Sequence, residues 1–128
     1  MRGEQYLTKP PQYALVYSKG NSWASRWVVM KTIENGLPLS RYGFSVSRKV
    51  GNAVVRNRVK RWLREILRAT PLKAGHDIIF IVRPATAATG YWNLKKAVEN
   101  LLSQAHLLGI SEVPEILARA RTGGELGN

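Results

Sequence analysis

The chain has 128 residues, 45% of them apolar, which is enough for one compact core and too few for two ordinary domains. It contains no cysteine, so a disulfide framework and a thiolate-held zinc site are both excluded and an intracellular setting is expected. Twenty Lys and Arg against eight Asp and Glu leave a net charge of +12, and a polyanionic partner is the simplest reason to tolerate that self-repulsion.

The opening stretch MRGEQYLTKPPQ has no continuous apolar core of signal-peptide type. The longest aliphatic and aromatic run, IIFIV, falls far short of the roughly 18 to 20 residues needed to span a bilayer. A cytoplasmic protein without a membrane segment is expected. Pro10-Pro11 opens a predicted first helix, since proline at the first helical position gives up an N–H that would be unpaired anyway, and the helix stops at Gly20. RWVVMKTI, residues 26–33, and RYGFSVS, residues 41–47, read as antiparallel strands joined by the breaker-rich ENGLPLS. In the second strand Tyr42, Phe44 and Val46 alternate with Gly43, Ser45 and Ser47, which predicts one face on a core and the other left open.

Gly51-Asn52 supplies a cap for a helix from about Ala53 to about Ala69, ended by Thr70-Pro71. HDIIFIVRP, residues 76–84, is a mostly buried strand closed by Pro84. TGYWNLKKAVENLLSQAHLLG is an amphipathic helix ending near Gly109, its apolar stripe formed by Leu94, Val98, Leu101, Leu102 and Ala105. The domain therefore covers residues 1–110, and 111–128 form an extension in which a short helical patch, EVPEILARAR, leads to an end expected to be disordered.

Charge is concentrated in one place. Between Arg48 and Arg68 there are eight basic residues and a single acid, Glu65. On a helical wheel Val55, Val59, Trp62, Leu63, Ile66 and Leu67 form an apolar arc, with Asn57, Lys60, Arg61, Arg64 and Arg68 opposite and Arg56 and Arg58 flanking it. An ordinary solvated helix alternates signs to gain i,i+4 pairs, whereas Arg56, Lys60, Arg64 and Arg68 repeat one sign at that spacing and repel unless an anion neutralises them. Five arginines suit planar, bidentate capture of phosphate, and Asn57 among them can bond a 2′-hydroxyl or a base edge. Tyr13 and Tyr17, four residues apart on the first helix, with Trp23, Trp27 and Lys31 nearby, offer rings and cations for single-stranded bases, although such a pair is more often core packing.

Nuclease chemistry is missing from the polypeptide. The eight acids are scattered, and His76 and His106 are isolated, so neither a metal-binding carboxylate cluster nor a histidine pair is formed. A DNA-reading helix-turn-helix is disfavoured because the segment before Ala53 reads as strand. A general RNA-binding module, ribosomal or chaperone-like, shares the same electrostatics.

The run FSVSRKVGNAVVRNRVKRWLREILR, residues 44–68, closely resembles the signature of the bacterial ribonuclease P protein component: a Ser-rich strand, a Lys/Arg pair, Gly-Asn, then Arg-Asn-Arg on a basic helix. The likeness extends to the order of elements from about residue 7 to 109. It implies a single small α+β domain, ordered αβββαβα, whose mixed sheet is backed by helices and contains a left-handed βαβ crossover, where chirality rules alone lead to a right-handed one. It also implies a role beside a catalytic RNA that supplies the active site and, with magnesium required by the RNA-containing holoenzyme, removes the 5′ leader of precursor tRNA. The protein alone is then expected to bind no cofactor and to need no stable protein partner. By the same resemblance, Arg48, Lys49 and Asn52, the motif Arg56-Asn57-Arg58, and Lys60, Arg61, Arg64 and Arg68 face the catalytic RNA, with Gly51 matching the segment before the motif. Tyr13 and Tyr17, with Ser22 and Arg26, match the cleft for the single-stranded leader. Lys31 stands where the family often has a further aromatic, which shifts the expected leader contact from stacking towards charge, with Trp23 or Trp27 as candidate substitutes.

Overall fold

The computed structural model describes residues 6–109, and the extension expected from residue 111 lies outside them. In chain order the elements are α1 (Pro10–Lys19), β1 (Asn21–Ala24), β2 (Val28–Glu34), β3 (Arg41–Ser45), α2 (Ala53–Ala69), β4 (His76–Val82), α3 (Thr86–Thr89) and α4 (Tyr91–Gln104), with a 3-10 turn at Arg48–Val50 before α2. This is the expected α+β order, with the four-residue α3 added within PATAATG. The sheet runs β1-β2-β4-β3; β2 is antiparallel to both neighbours, and β3 is parallel to β4. Parallel neighbours require a crossover, and here the crossover is the basic helix α2.

Helices cover both faces of the sheet. On one side Val28, Met30, Tyr42, Ile78, Phe80 and Val82 pack with Val59, Leu63, Ile66 and Leu67 of α2 and Leu94, Val98, Leu101 and Leu102 of α4 into the main core. The other side carries a smaller cluster of Leu7, Val16 and Ile79 beneath α1, with Tyr13, Ile33 and Ile81 half-buried against it. The alternation in β3 is therefore only half as simple as expected: Tyr42 joins the core, but Gly43 is buried as well, because α1 lies over its face. A Cβ at Gly43 would come 2.3 Å from the Tyr13 hydroxyl, so a side chain there and this ring position exclude each other. Ser47 has left the strand; its hydroxyl accepts the Lys49 N–H at 3.3 Å and starts the 3-10 turn.

Local chemistry explains the helix ends. Pro10 and Pro11 occupy the first turn of α1, where the Gln12 side chain accepts the Thr8 and Lys9 N–H groups at 3.0 Å each. Asn52 caps α2 by accepting Val55 N–H at 3.0 Å, and Gly51 precedes it at φ 156° in a place where a Cβ would strike Val55. At the other end Thr70 donates its hydroxyl to Ile66 O at 2.7 Å before Pro71. Helix α4 stops at Gln104, short of the expected end near Gly109. His106 takes a left-handed conformation at φ 59°, its N–H meets Ser103 O, and Leu107 N–H meets Leu102 O at 2.8 Å, a Schellman-type ending. The turn drops Leu107 into the core and lets Leu108 bridge to Leu72. Burying that leucine outweighs the strain of a non-glycine residue at positive φ.

Candidate nucleic-acid interface

The first surface is a single stretch of chain. Arg48 and Lys49 are exposed on the 3-10 turn, anchored by buried Val50, and α2 continues with six further cations. Burial follows the predicted wheel: Val59, Leu63, Ile66 and Leu67 are buried, Val55 and Trp62 half-buried, and Asn57, Arg61 and Arg68 exposed. Among the described residues the ion pairs are Arg41–Asp77 and Lys95–Glu99, so no carboxylate neutralises a cation of α2. The like charges at i,i+4 are left unanswered among the described residues.

Not all of the expected contact residues are free to point outward. Arg56, half-buried, donates Nε–H to Gly51 O at 3.2 Å, which binds the helix to the preceding turn. Arg58, also half-buried, places its guanidinium carbon 5.5 Å from the Trp62 ring centroid, and its buried Nε has no hydrogen-bond partner. Asn52 spends its side-chain oxygen on the helix cap. Lys60 and Arg64, opposite the apolar arc, are half-buried.

The second surface is assembled across the sheet. Strand register places Ser22, Lys31, Ile79 and Gly43 in one row and Ala24, Val29, Ile81 and Ser45 in the next, all on the face carrying α1. The first row is roofed at one end: Tyr13 lies on Gly43 and donates its hydroxyl to Leu7 O at 3.2 Å. Its other end is not, because Ser22 is exposed and Lys31 half-buried. In the second row Ala24 is exposed and Val29, Ile81 and Ser45 are half-buried, and Tyr17, 42% exposed, stands one helical turn beyond Tyr13. Burial raises the Tyr13 hydroxyl above its ordinary pKa, reinforced by neighbouring Tyr17 and partly opposed by the Phe44 backbone. At neutral pH the Tyr13 ring is therefore an uncharged hydrogen-bonding group. From Ser45 the chain passes in three residues to Arg48, so the two surfaces meet at the end of β3.

Four of the five expected leader residues, Tyr13, Tyr17, Ser22 and Lys31, thus share one face. Arg26 does not join them. It stacks over Trp27 at 5.1 Å and lines a groove with Asn93, Lys96 and Asn100 of α4. Trp23 and Trp27 likewise pack with the main core, so neither substitutes for a ring beside Lys31. The strand period carried this information for Trp23, which pairs with Met30 and so shares its face, opposite to Ser22 and Lys31.

Sequence reasoning missed a buried ion pair at the margin of the second surface. Asp77, 3% exposed, accepts Arg41 Nε–H at 2.9 Å and Nη2–H at 2.7 Å, and Asn35 Nδ2–H at 2.8 Å. Hydrogen bonding to Asp77 raises the Arg41 pKa further above its ordinary value. Arg41 and Asp77 are register partners in the parallel pair, so the bridge pins β3 to β4 at the row before Gly43. Among the described residues no three His, Asp or Glu come together in a metal-binding group, and no helix is long and apolar enough to cross a membrane.

Comparison with known proteins agrees with this geometry. The family model Ribonuclease P matches residues 1–106. The ribonuclease P protein component of Dehalococcoides mccartyi strain CBDB1 is 45% identical over 108 residues, covering 84% of this chain and 90% of the relative. That of Caldanaerobacter subterraneus subsp. tengcongensis is 42% identical over 103 residues, covering 79% and 89%. A solved RNase P protein mutant from Staphylococcus aureus superposes with a TM-score of 0.80 at 32% identity over 84% of this chain and 93% of its own. The RNase P protein from Thermotoga maritima gives 0.72 at 31% identity over 77% and 96%. The chain belongs to the ribonuclease P protein family, the protein components of a tRNA-processing endonuclease.

Proposed function

We propose that this protein is the RNA-binding subunit of a cytoplasmic ribonuclease P, in which it holds a catalytic RNA with one surface and the 5′ leader of precursor tRNA with the other. The observation that carries the reading is the charge of α2 and its preceding turn, eight cations without a carboxylate partner among the described residues, next to an open sheet face bearing two tyrosines and a lysine. Arg48, Lys49, Asn57, Arg61 and Arg68 take phosphates or riboses of the catalytic RNA directly. Half-buried Lys60 and Arg64 join them, while Arg56, Arg58 and Asn52 hold that face in shape. Tyr13 and Tyr17 stack on or bond to unpaired leader nucleotides, and Ser22 and Lys31 bind the leader backbone. Arg26 belongs to the α4 side of the molecule and is not assigned to the leader.

Hydrolysis of the phosphodiester is assigned to the RNA, and the magnesium ions it requires are held there. The polypeptide contributes affinity and register, bringing the leader beside the catalytic RNA and lowering electrostatic repulsion between two polyanions. The decisive experiment is cleavage of a 5′-extended precursor tRNA by a closely matched bacterial ribonuclease P RNA at low magnesium, with and without the protein. Stimulated cleavage at the mature 5′ end is expected. Tight RNA binding without stimulation would replace this reading with a general RNA-binding role.

A further inference from the structure

We propose that Trp92 is a stacking platform for an unpaired nucleobase of the catalytic RNA, the outermost step of an aromatic ladder that begins at Arg58. The inference rests on the reading that α2 docks that RNA, and it adds a contact on α4. From the Arg58 guanidinium the ladder passes 5.5 Å to the Trp62 ring, 6.5 Å on to Tyr91, and 5.1 Å on to Trp92, centroid to centroid between rings. Successive rings stand at 80° and 87° to each other, the edge-to-face arrangement that aromatic quadrupoles favour. Trp62 and Tyr91 are packed against the main core, whereas Trp92 is 70% exposed. The ladder thus fixes a large indole from within and leaves much of its surface in water.

Charge indicates what covers it. Lys95 and Lys96 follow Trp92 by three and four residues on the same side of α4, and the nearby Glu99 is already engaged by Lys95. Beyond Arg58 the uncompensated cations of α2 begin. An apolar protein partner has no need of a flanking cation, whereas a nucleobase brings a π-face for the indole and a backbone phosphate for exposed Lys96. Trp92 also lies on the α2 and α4 side of the sheet, away from Tyr13, Tyr17 and Lys31. That location selects the catalytic RNA over the leader as the source of the base.

The test measures catalytic-RNA affinity over a salt series for the full chain and for Trp92→Ala, Trp92→Leu, Trp92→Phe and Arg64→Ala, with thermal melts of each protein. Loss of one stacked base predicts about 5- to 100-fold weaker binding for Trp92→Ala and Trp92→Leu, with the slope against salt unchanged. Trp92→Phe recovers most of the affinity and the melting temperatures stay together, because the lost contact is with RNA. Arg64→Ala weakens binding and flattens the salt slope by about 0.7 to 0.9. Parental affinity of Trp92→Ala beside a weakened Arg64→Ala overturns the platform and leaves the α2 reading standing; parental affinity of both overturns the two together. A Trp92→Ala defect confined to precursor-tRNA binding, or to self-association of the protein, likewise overturns the proposal.

Discussion

The basic crossover helix and the sheet face under α1 are neighbours of opposite construction. The α2 surface is one stretch of chain in which every cation follows from its place in a 3.6-residue repeat, and among the described residues its charges have no ion-pair partner. The sheet face draws Ser22, Lys31, Gly43 and Ile79 from four strands and Tyr13 from a helix, with one half-buried lysine in its central row. On the proposed reading the first attracts a polyanion of almost any sequence, and the second accepts a particular, unpaired piece of chain. A ribonucleoprotein subunit needs both, and the difference between them is measurable.

Salt should separate them most widely. If six to eight phosphates are neutralised on α2, catalytic-RNA affinity should fall on the order of a thousandfold between ~50 and ~200 mM salt, because counterion release scales with phosphate contacts. Discrimination of precursor from mature tRNA, which the proposed function assigns to the sheet face, should change far less over the same range. Equal sensitivity of the two quantities in a filter-binding series would erase the distinction.

The next largest effect is on the integrity of the sheet face. Asp77→Ala leaves Arg41 without its carboxylate and Asn35 without one acceptor, and should destabilise the domain by about 2 to 3 kcal/mol, at the low end for a buried pair because Arg41 is 22% exposed. Urea unfolding reads this directly. A loss below about 0.5 kcal/mol, the range of an exposed pair, would mean that the bridge does not pin β3 to β4.

Paired substitutions sharpen the comparison further. Tyr17→Ala should reduce the preference for precursor over mature tRNA by about 5- to 20-fold, within the range of a single aromatic stack, and leave catalytic-RNA affinity unchanged. Arg64→Ala should do the reverse. Competition binding with both tRNAs, run beside direct titration of the catalytic RNA, would reveal any mixing of the two roles.

The smallest effect is on pH. Because the folded-state pKa of Tyr13 is raised, the folded protein holds that proton more tightly than the unfolded chain. This contribution to stability is fully present below the ordinary tyrosine value of about 10 and is lost as pH rises through the folded-state value. Tyr13→Phe should therefore remove part of the alkaline decline in melting temperature. A variant with the same decline as the parent would show that burial of this hydroxyl does not contribute to it.

What could be read without coordinates was local. The bounds of α2, its Asn52 cap, its buried arc and its concentrated charge all follow from contacts within a few residues, where helical period and capping chemistry act. The end of α4 was not legible, because the signal was a glycine at 109 while the actual reversal uses His106, held there by the burial of Leu107. The Arg41–Asp77 bridge escaped notice since its partners lie 36 residues apart and meet only through the parallel register. For the same reason the placement of Arg26 and Trp27 on the α4 side required the assembled sheet.

The sequence by itself determined that this chain carries a helix of concentrated, one-signed charge and closely resembles the ribonuclease P proteins, since charge, period and motif are properties of adjacent residues. Only the tertiary structure decided which side chains share the second surface, how Tyr13 is seated on a glycine, and that an indole is left standing at the end of a ladder. Those are matters of which strands pair and which helix covers which face, and they are settled by burial summed over the whole domain rather than by any local preference.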